Sequence, residues 1–392
     1  MQYYARALEL NEDTVANRRY LHAHAEVGLD LPQTKAYVTE KLREYGLDPK
    51  PCGEGITATL GKGGKCILLR ADMDALPMAE NSGEPFSCVS GAAMHACGHD
   101  MHTSMLLTAA RLLKENEENL RGTVKFMFQP AEETFQGAIN MLDNGILENP
   151  RPDVALAYHV GSGRLAPGGF SYNRGGTMMF SVDGFKITVT GKGAHGAYPQ
   201  TSIDPINIAI HIYQGMQSII AREVDPKAAC VMTVGTFHAG TANNIIPNEA
   251  EMTGTIRSND EGYRQLMKRR LTAMADMTAK AYGAEVQVQW TCETPALVCD
   301  PELVDAMVSY MEELKVPGMH SREGVSASGS EDFAVISSRI PGVFMYLTAG
   351  FPELENPAPS HNPGVRFNEG VLPIGAAGFA HCATRWLEEN QG

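Results

Sequence analysis

The chain alternates short apolar runs with longer amphipathic stretches. Residues 33–46 (QTKAYVTEKLREYG) repeat apolar positions with a helical period and close on Gly46, which suits a helix C-terminus. Residues 66–69 (CILL) form an apolar run that ends at Arg70, Asp72 and Asp74, and predict a strand. Residues 102–117 (HTSMLLTAARLLKENE) predict a strongly amphipathic helix. Residues 123–128 (TVKFMF) predict a strand closed by Gln129 and Pro130, with Glu132 and Glu133 directly after it. A helix follows at 137–147, then a strand at 153–158 (DVALAY) that runs into His159. Near the end of the chain, 342–350 (GVFMYLTAG) reads as a strand leading into a loop, and a Pro-rich loop carries His361. Alternation of this kind predicts a largely parallel sheet with helices on its faces.

The middle of the chain has a different rhythm. Residues 180–193 alternate as a strand, with Phe185, Ile187 and Val189 on one face. A helix is expected at 204–220, strands at 228–238 and 249–258, a long helix at 260–283 closed by Gly283, and a cleanly alternating strand at 284–290. The order β-α-β-β-α-β is the ferredoxin-like arrangement. The expected architecture is therefore α/β. A mostly parallel-sheet domain (1–177 and 293–392) is interrupted by a ferredoxin-like α+β domain (178–292).

Composition narrows the function. A 392-residue chain with 43% hydrophobic and 20% charged residues is an ordinary globular protein, too long for one core. A formal net charge of −14 argues against a nucleic-acid or anionic-membrane surface, because either needs concentrated Lys and Arg. The opening residues lack the charged and apolar regions of a secretory signal, and no apolar run is long enough to span a bilayer. The eight cysteines form no CxxC pair. They read as reduced thiols, and the expected location is the cytoplasm.

Chemistry concentrates in residues 94–102, MHACGHDMH, just before the amphipathic helix. Cys97 and His99 are two apart, so a loop can turn both toward one ion, and thiolate with imidazole suits Zn²⁺ and similar ions. The competing reading is a polar helix start with Asp100 as its N-cap. Metal needs remote ligands, and ligands of parallel sheets gather beyond the C-terminal strand ends. Asp72/Asp74, Glu132/Glu133 and His159 all follow strands, so acids, histidines and a thiol converge on one edge. Glu133, His159 and His361 are the candidate remote ligands. Adjacent side chains diverge, so Glu132 and Glu133 should differ in task, one holding metal and one facing its water. His95 and His102 support or flank the site, and His22 and His24 read as packing residues or supports. His195 ends a strand of the second domain between glycines and reads as a turn histidine unless more is known. A cysteine–histidine nucleophile would leave the glutamate pair unexplained.

The segments RADMDALP, MHACGHDMH, FQPAEE, YHV, TGKGAHGAYP, NNIIPN, GTIR and SEDFA occur in the order found in the metal-dependent aminoacylase/hippurate hydrolase family. That family lies within the aminoacylase–carboxypeptidase superfamily, and the resemblance runs from RRYLHAHAEVG to the C-terminal helix. It implies two divalent ions per subunit (Zn, Mn, Co or Ni) held by Cys97, His99, Glu133, His159 and His361. It further implies that Glu132 is the catalytic base and that Asp74 is an acid beside the ligands. Asp72 stands where many superfamily members have a ligand histidine, and its role is open. The second domain resembles a lid and dimerisation domain, in which His195 reaches the neighbouring subunit's active site of a homodimer. Asn244 and Arg257 match substrate-binding positions, and Ser330, Glu331 and Asp332 match a pocket-lining motif. The chain departs from many relatives at Ala93, Gly196 and Gln200, none of them a proposed ligand.

The expected function is metal-dependent hydrolysis of the amide bond of an N-acyl or N-aroyl amino acid, or of a small conjugate resembling one, to a carboxylic acid and an amine. One alternative is a metallo-exopeptidase or dipeptidase. The other is a non-catalytic metal-dependent binding protein, which would need the ligands but no base at Glu132.

Overall fold

The computed structural model describes residues 1–391. It divides into two compact units. The first comprises Met1–Met178, Val298–Ser326 and the chain from Asp332 onward. Its eight-stranded sheet runs, in spatial order, through Lys50–Cys52, Gly55–Gly61, Thr123–Gln129, Cys66–Asp72, Val154–Gly161, Gly342–Thr348, Phe170–Tyr172 and Ser321–Glu323. The four central strands are parallel to one another. The strand Gly55–Gly61 pairs antiparallel on one side, and Phe170–Tyr172 pairs antiparallel with Gly342–Thr348 on the other. Every residue of Cys66–Asp72 and of Thr123–Gln129 is buried, as expected for parallel strands covered on both faces. Helices His99–Glu115 and Leu372–Glu389 bury most of their residues. Because the central strands run the same way, their C-terminal ends open on one edge, where Asp74, Glu132 and the loop after Thr348 emerge.

The second unit comprises Met179–Leu297 and Ala327–Glu331. It extends a few residues past the expected end at 292 and includes a short segment from later in the chain. Its four strands lie in the order Cys230–Ala239, Glu249–Ser258, Ser181–Thr190, Glu285–Thr294, all antiparallel. This is the ferredoxin-like order. Phe185, Ile187 and Val189 pack with Ile208, Ile212 and Met216 of the helix Pro205–Glu223 and with Met267 and Leu271 of the helix Glu261–Ala281. Both helices start at aspartate N-caps, Asp204 and Asp260, whose carboxylates accept backbone N–H groups of the first turn.

No helix among the described residues is long and apolar enough to cross a membrane. All eight cysteines are free thiols.

Candidate metal and active site

The helix His99–Glu115 starts three residues earlier than its hydrophobic period suggests, with Gly98 rather than Asp100 as N-cap. Gly98 has φ +88, and a Cβ there would meet Val160 Cγ2 at 2.3 Å. Only glycine allows the loop to lie this close to the strand Val154–Gly161 while turning into the helix. Cys97 and His99 flank that turn and face the strand's C-terminal end.

Asp100, displaced from the cap, is fully buried and serves as an anchor. Its Oδ2 lies 2.7 Å from Arg18 Nε and 2.8 Å from His22 Nδ1. His22 Nε2 in turn meets Glu80 at 3.1 Å. Burial alone would lower the His22 pKa, but Asp100 and Glu80 hold it up at about 9. Arg18 and Glu80 were not legible as site residues. The only signal was the pair of histidines in RRYLHAH.

Beyond the strand Thr123–Gln129 the backbone turns sharply. Ala131 has φ +52, and its carbonyl accepts N–H groups from Gln136 and Gly137. Asp74 secures this turn from the neighbouring strand. Its Oδ1 accepts the Glu132 N–H at 3.0 Å and its Oδ2 accepts the Glu133 N–H at 3.1 Å. The Asp74 carbonyl accepts from His99 Nδ1 at 2.9 Å, so His99 turns Nε2 the other way. His361 sits in a loop tied back to the MHACGHD segment, its N–H donating to the Ala96 carbonyl at 2.9 Å.

These elements bring six side chains together. Cys97 Sγ lies 3.3 Å from both His159 Nε2 and His361 Nε2. His361 Nε2 is 3.4 Å from Glu133 Oε1. His99 Nε2 is 3.9 Å from Glu133 Oε1 and 4.0 Å from Glu132 Oε2. The donors fall into overlapping groups: Cys97 with His99 and His159, Cys97 with Glu133 and His361, and His99 with Glu132 and Glu133.

The protein alone leaves this arrangement unbalanced. His99 Nε2 is buried without a hydrogen-bond partner, as is Glu133 Oε1 apart from the His361 approach. Burial pushes the Cys97 thiol up to about 12, with Glu133 and Asp72 adding to the rise against the pull of His99. Burial holds His159 well below the usual imidazole range, and its neighbours His102 and His99 add to the drop. Burial opposes charge on His99, but Asp72 and its hydrogen bonds outweigh it and raise the pKa. The Glu133 hydrogen bond raises His361. Burial would raise Glu133, yet His361 and His99 bring it below the ordinary carboxylate value. Buried soft and hard donors aimed at one point, with orphaned lone pairs, suit divalent cations of the Zn²⁺ or Mn²⁺ type.

His102 and Asp72, read from sequence as a flanking residue and an open question, adjoin this cluster: Asp72 Oδ2 is 3.7 Å from His99 Nε2, and its Oδ1 is 2.6 Å from His102 Nδ1. His95 is buried, and neither ring nitrogen has a hydrogen-bond partner. His24 is stacked on Tyr20, away from the cluster.

The remaining candidates belong to the second unit. His195 is exposed on the two-residue strand paired with Ile245–Ile246, and its Nδ1 accepts the Ala197 N–H at 3.1 Å. Asn244 is exposed and its carbonyl accepts the Gly196 N–H. Arg257 Nη1 donates to the Ser330 hydroxyl at 2.8 Å, and Glu331 is buried.

Comparison with known proteins places these features in context. The model of peptidase family M20/M25/M40 matches residues 68–385. An IAA-amino acid hydrolase of Arabidopsis thaliana is 37% identical over 384 residues, covering 96% of this chain and 86% of that protein. Thermostable carboxypeptidase 2 of Saccharolobus solfataricus is 35% identical over 387 residues, 96% of each chain. The crystal structure of a dinuclear metal-binding peptidase of family M20 from Bacillus subtilis is similar with a TM-score of 0.80 at 30% identity, covering 97% of this chain and 99% of that one.

Proposed function

The chain belongs to peptidase family M20/M25/M40, and from that premise we propose that it is a two-metal amidohydrolase cleaving the amide bond of N-acyl or N-aroyl amino acids. The observation that carries this reading is the convergence of Cys97, His99, Glu133, His159 and His361 with a second carboxylate, Glu132, beside them. A metal store or binder has no use for that extra carboxylate, whereas hydrolysis needs a base.

Two overlapping donor groups sharing Cys97 suit a pair of ions, and the B. subtilis structure is described as dinuclear. When bound, such ions supply Lewis acidity that makes water a nucleophile near neutral pH and polarises the amide carbonyl. Glu132 takes the proton of the attacking water and hands it to the leaving amine. Asp74 fixes the turn from which Glu132 acts by holding the backbone of both glutamates. His195 donates to the developing oxyanion. Arg257, whose planar fork suits carboxylates, binds the amino-acid carboxylate, with Asn244 and Glu331 lining the substrate pocket.

We read the protein as a homodimer joined through the second unit. The strand Cys230–Ala239 is an edge with an open row of backbone groups, and it exposes Val231 (49%) and Phe237 (39%). Ile210 and Tyr213 are exposed on the helix Pro205–Glu223 of the same unit and line a shallow groove with that strand. In such a dimer His195 serves the partner's site. Eight free thiols accord with a reducing cytoplasm.

A second reading, a carboxypeptidase or dipeptidase, is favoured by the 35% identity to thermostable carboxypeptidase 2. The test is a panel of acetyl, benzoyl and indoleacetyl amino acids beside free dipeptides and blocked peptides, with protein reconstituted in Mn²⁺, Zn²⁺, Co²⁺ or Ni²⁺. Turnover of the acyl amino acids at the highest kcat/KM supports amidohydrolase action. Preference for peptides moves the assignment to the second reading, and no turnover by fully metallated protein to a binding role.

A further inference from the structure

We infer that Asp72 and His102 are positioning residues that fix the metal-binding face of His159. This rests on the two-metal reading of the site and goes beyond its ligand set.

A continuous chain of hydrogen bonds runs through the first unit to His159. Arg70 is fully buried, and its Nη1 donates to Asp72 Oδ2 at 2.7 Å while its Nη2 donates to Asp332 Oδ1 at 3.1 Å. The other oxygen of Asp72 lies 2.6 Å from His102 Nδ1. On the far side of the ring, His102 Nε2 accepts the backbone N–H of Val160 at 2.8 Å. A backbone N–H can only donate, so Nε2 carries the lone pair and the proton sits on Nδ1, where it is given to Asp72. One tautomer of His102 satisfies both contacts.

The amide that His102 grips joins His159 to Val160. The carbonyl of Val160 accepts from His159 Nδ1 at 2.8 Å, so His159 also carries its proton on Nδ1 and turns its Nε2 lone pair toward Cys97. The backbone at Val160 is thus held by His102 through its N–H and holds the His159 ring through its C=O. Loss of the first contact frees the second. Distance alone would also allow Asp72, His99 and His102 to hold an ion as a group. The bonding takes His102 out of that group: its Nδ1 proton is given to Asp72 and its one lone pair, on Nε2, to the Val160 N–H. Asp72 acts through His102, whose Nδ1 proton it accepts and whose tautomer it thereby fixes. Its buried charge is balanced by Arg70, which makes a strong acceptor tolerable at a fully buried position.

Two substitutions at one position separate this role from simple packing. The amide of asparagine can replace Nδ1 and donate to Asp72, but it falls short of Val160. The amide oxygen of glutamine reaches the Nε2 position and can accept the Val160 N–H. Metal-free protein is titrated with Co²⁺ and Mn²⁺ against a competing chelator, and the Co²⁺ absorption bands, including thiolate-to-metal charge transfer, are recorded alongside circular dichroism. Wild type is expected to take two equivalents. His102→Asn should weaken one of the two equivalents by about 10–100-fold, the usual effect of losing a partner that orients a ligand histidine, and should alter the Co²⁺ spectrum. His102→Gln should recover most of that affinity. If His102→Asn folds poorly, Asp72→Asn reads the same chain from its other end and should also weaken one equivalent. Long-range ¹⁵N spectra of metal-free protein should show His159 as a single Nδ1–H tautomer in wild type and as a tautomer mixture in His102→Asn. Folded His102→Asn or Asp72→Asn binding both equivalents as wild type does would overturn the inference while leaving the two-metal reading intact. Wild type taking up fewer than two equivalents would overturn that reading and the inference with it.

Discussion

Cys97 Sγ lies 3.3 Å from His159 Nε2, although 62 residues separate the two in sequence. His361 approaches the same sulfur at the same distance from the far end of the chain. A thiol pushed up to about 12 by burial is a poor ligand until a cation displaces its proton. Cys97→Ser and His361→Ala are therefore expected to lower metal content and activity together, by more than the about 10–100-fold seen when an outer hydrogen-bond partner is lost. Elemental analysis of the purified variants checks this. Full metal content in both would remove them from the ligand set.

The two adjacent glutamates should respond differently. Glu132→Gln is expected to keep the fold and most of the metal, yet lose at least about 10²-fold in kcat, the usual scale for general acid–base catalysis. Glu133→Gln should weaken metal binding first. Near-normal turnover by Glu132→Gln would show that the proton is carried by another group.

His195 provides a test of the dimer. His195→Ala and Glu132→Gln should each be nearly inactive alone. In a mixed dimer the His195→Ala subunit keeps an intact metal centre and borrows His195 from its partner, so one site recovers and the other is doubly broken. With equal mixing, half the dimers are mixed, and activity should return to roughly a quarter of wild type. Co-refolding of differently tagged variants, with exchange confirmed by pull-down, makes the measurement. Mixed dimers without recovery would assign His195 to its own subunit or to no catalytic task.

His22 should make stability depend on pH. Its folded value of about 9 lies above the ordinary 6.5, because Asp100 and Glu80 outweigh its burial. Below pH 6.5 both folded and unfolded chains hold the proton and the stabilisation is complete. Between 6.5 and 9 the unfolded chain releases the proton while the folded one keeps it, so stability falls. Above 9 the contribution is gone. The raised value corresponds to a contribution on the order of 3 kcal/mol at low pH. Metal-free His22→Gln should be less stable than wild type at pH 6 and converge with it above pH 9. Parallel thermal-stability curves for the two proteins across that range would rule this out.

The local features of the chain were legible from its sequence. Strand and helix periods are set by neighbouring residues, so the parallel sheet, the ferredoxin-like order and the edge at which acids and histidines gather followed from the hydrophobic pattern. The residue types of MHACGHD and FQPAEE likewise announced donors for a metal. Tertiary structure decided which donors face the same point and which face away. Asp100 reads as a helix cap, but the glycine turn moves the helix start to His99 and leaves the aspartate to Arg18 and His22. Asp72 and His102 carry ligand-type side chains, yet His102 spends one nitrogen on Asp72 and the other on the Val160 amide, while Arg70 donates to Asp72. His102 reaches Asp72 and the Val160 amide, 30 and 58 positions away, only once the strands have taken their order in the sheet. Periodicity reports which face a residue takes, because that depends on the next turn or the next pleat. Which hydrogen bonds its side chain spends, and on what, depends on segments that meet only after folding.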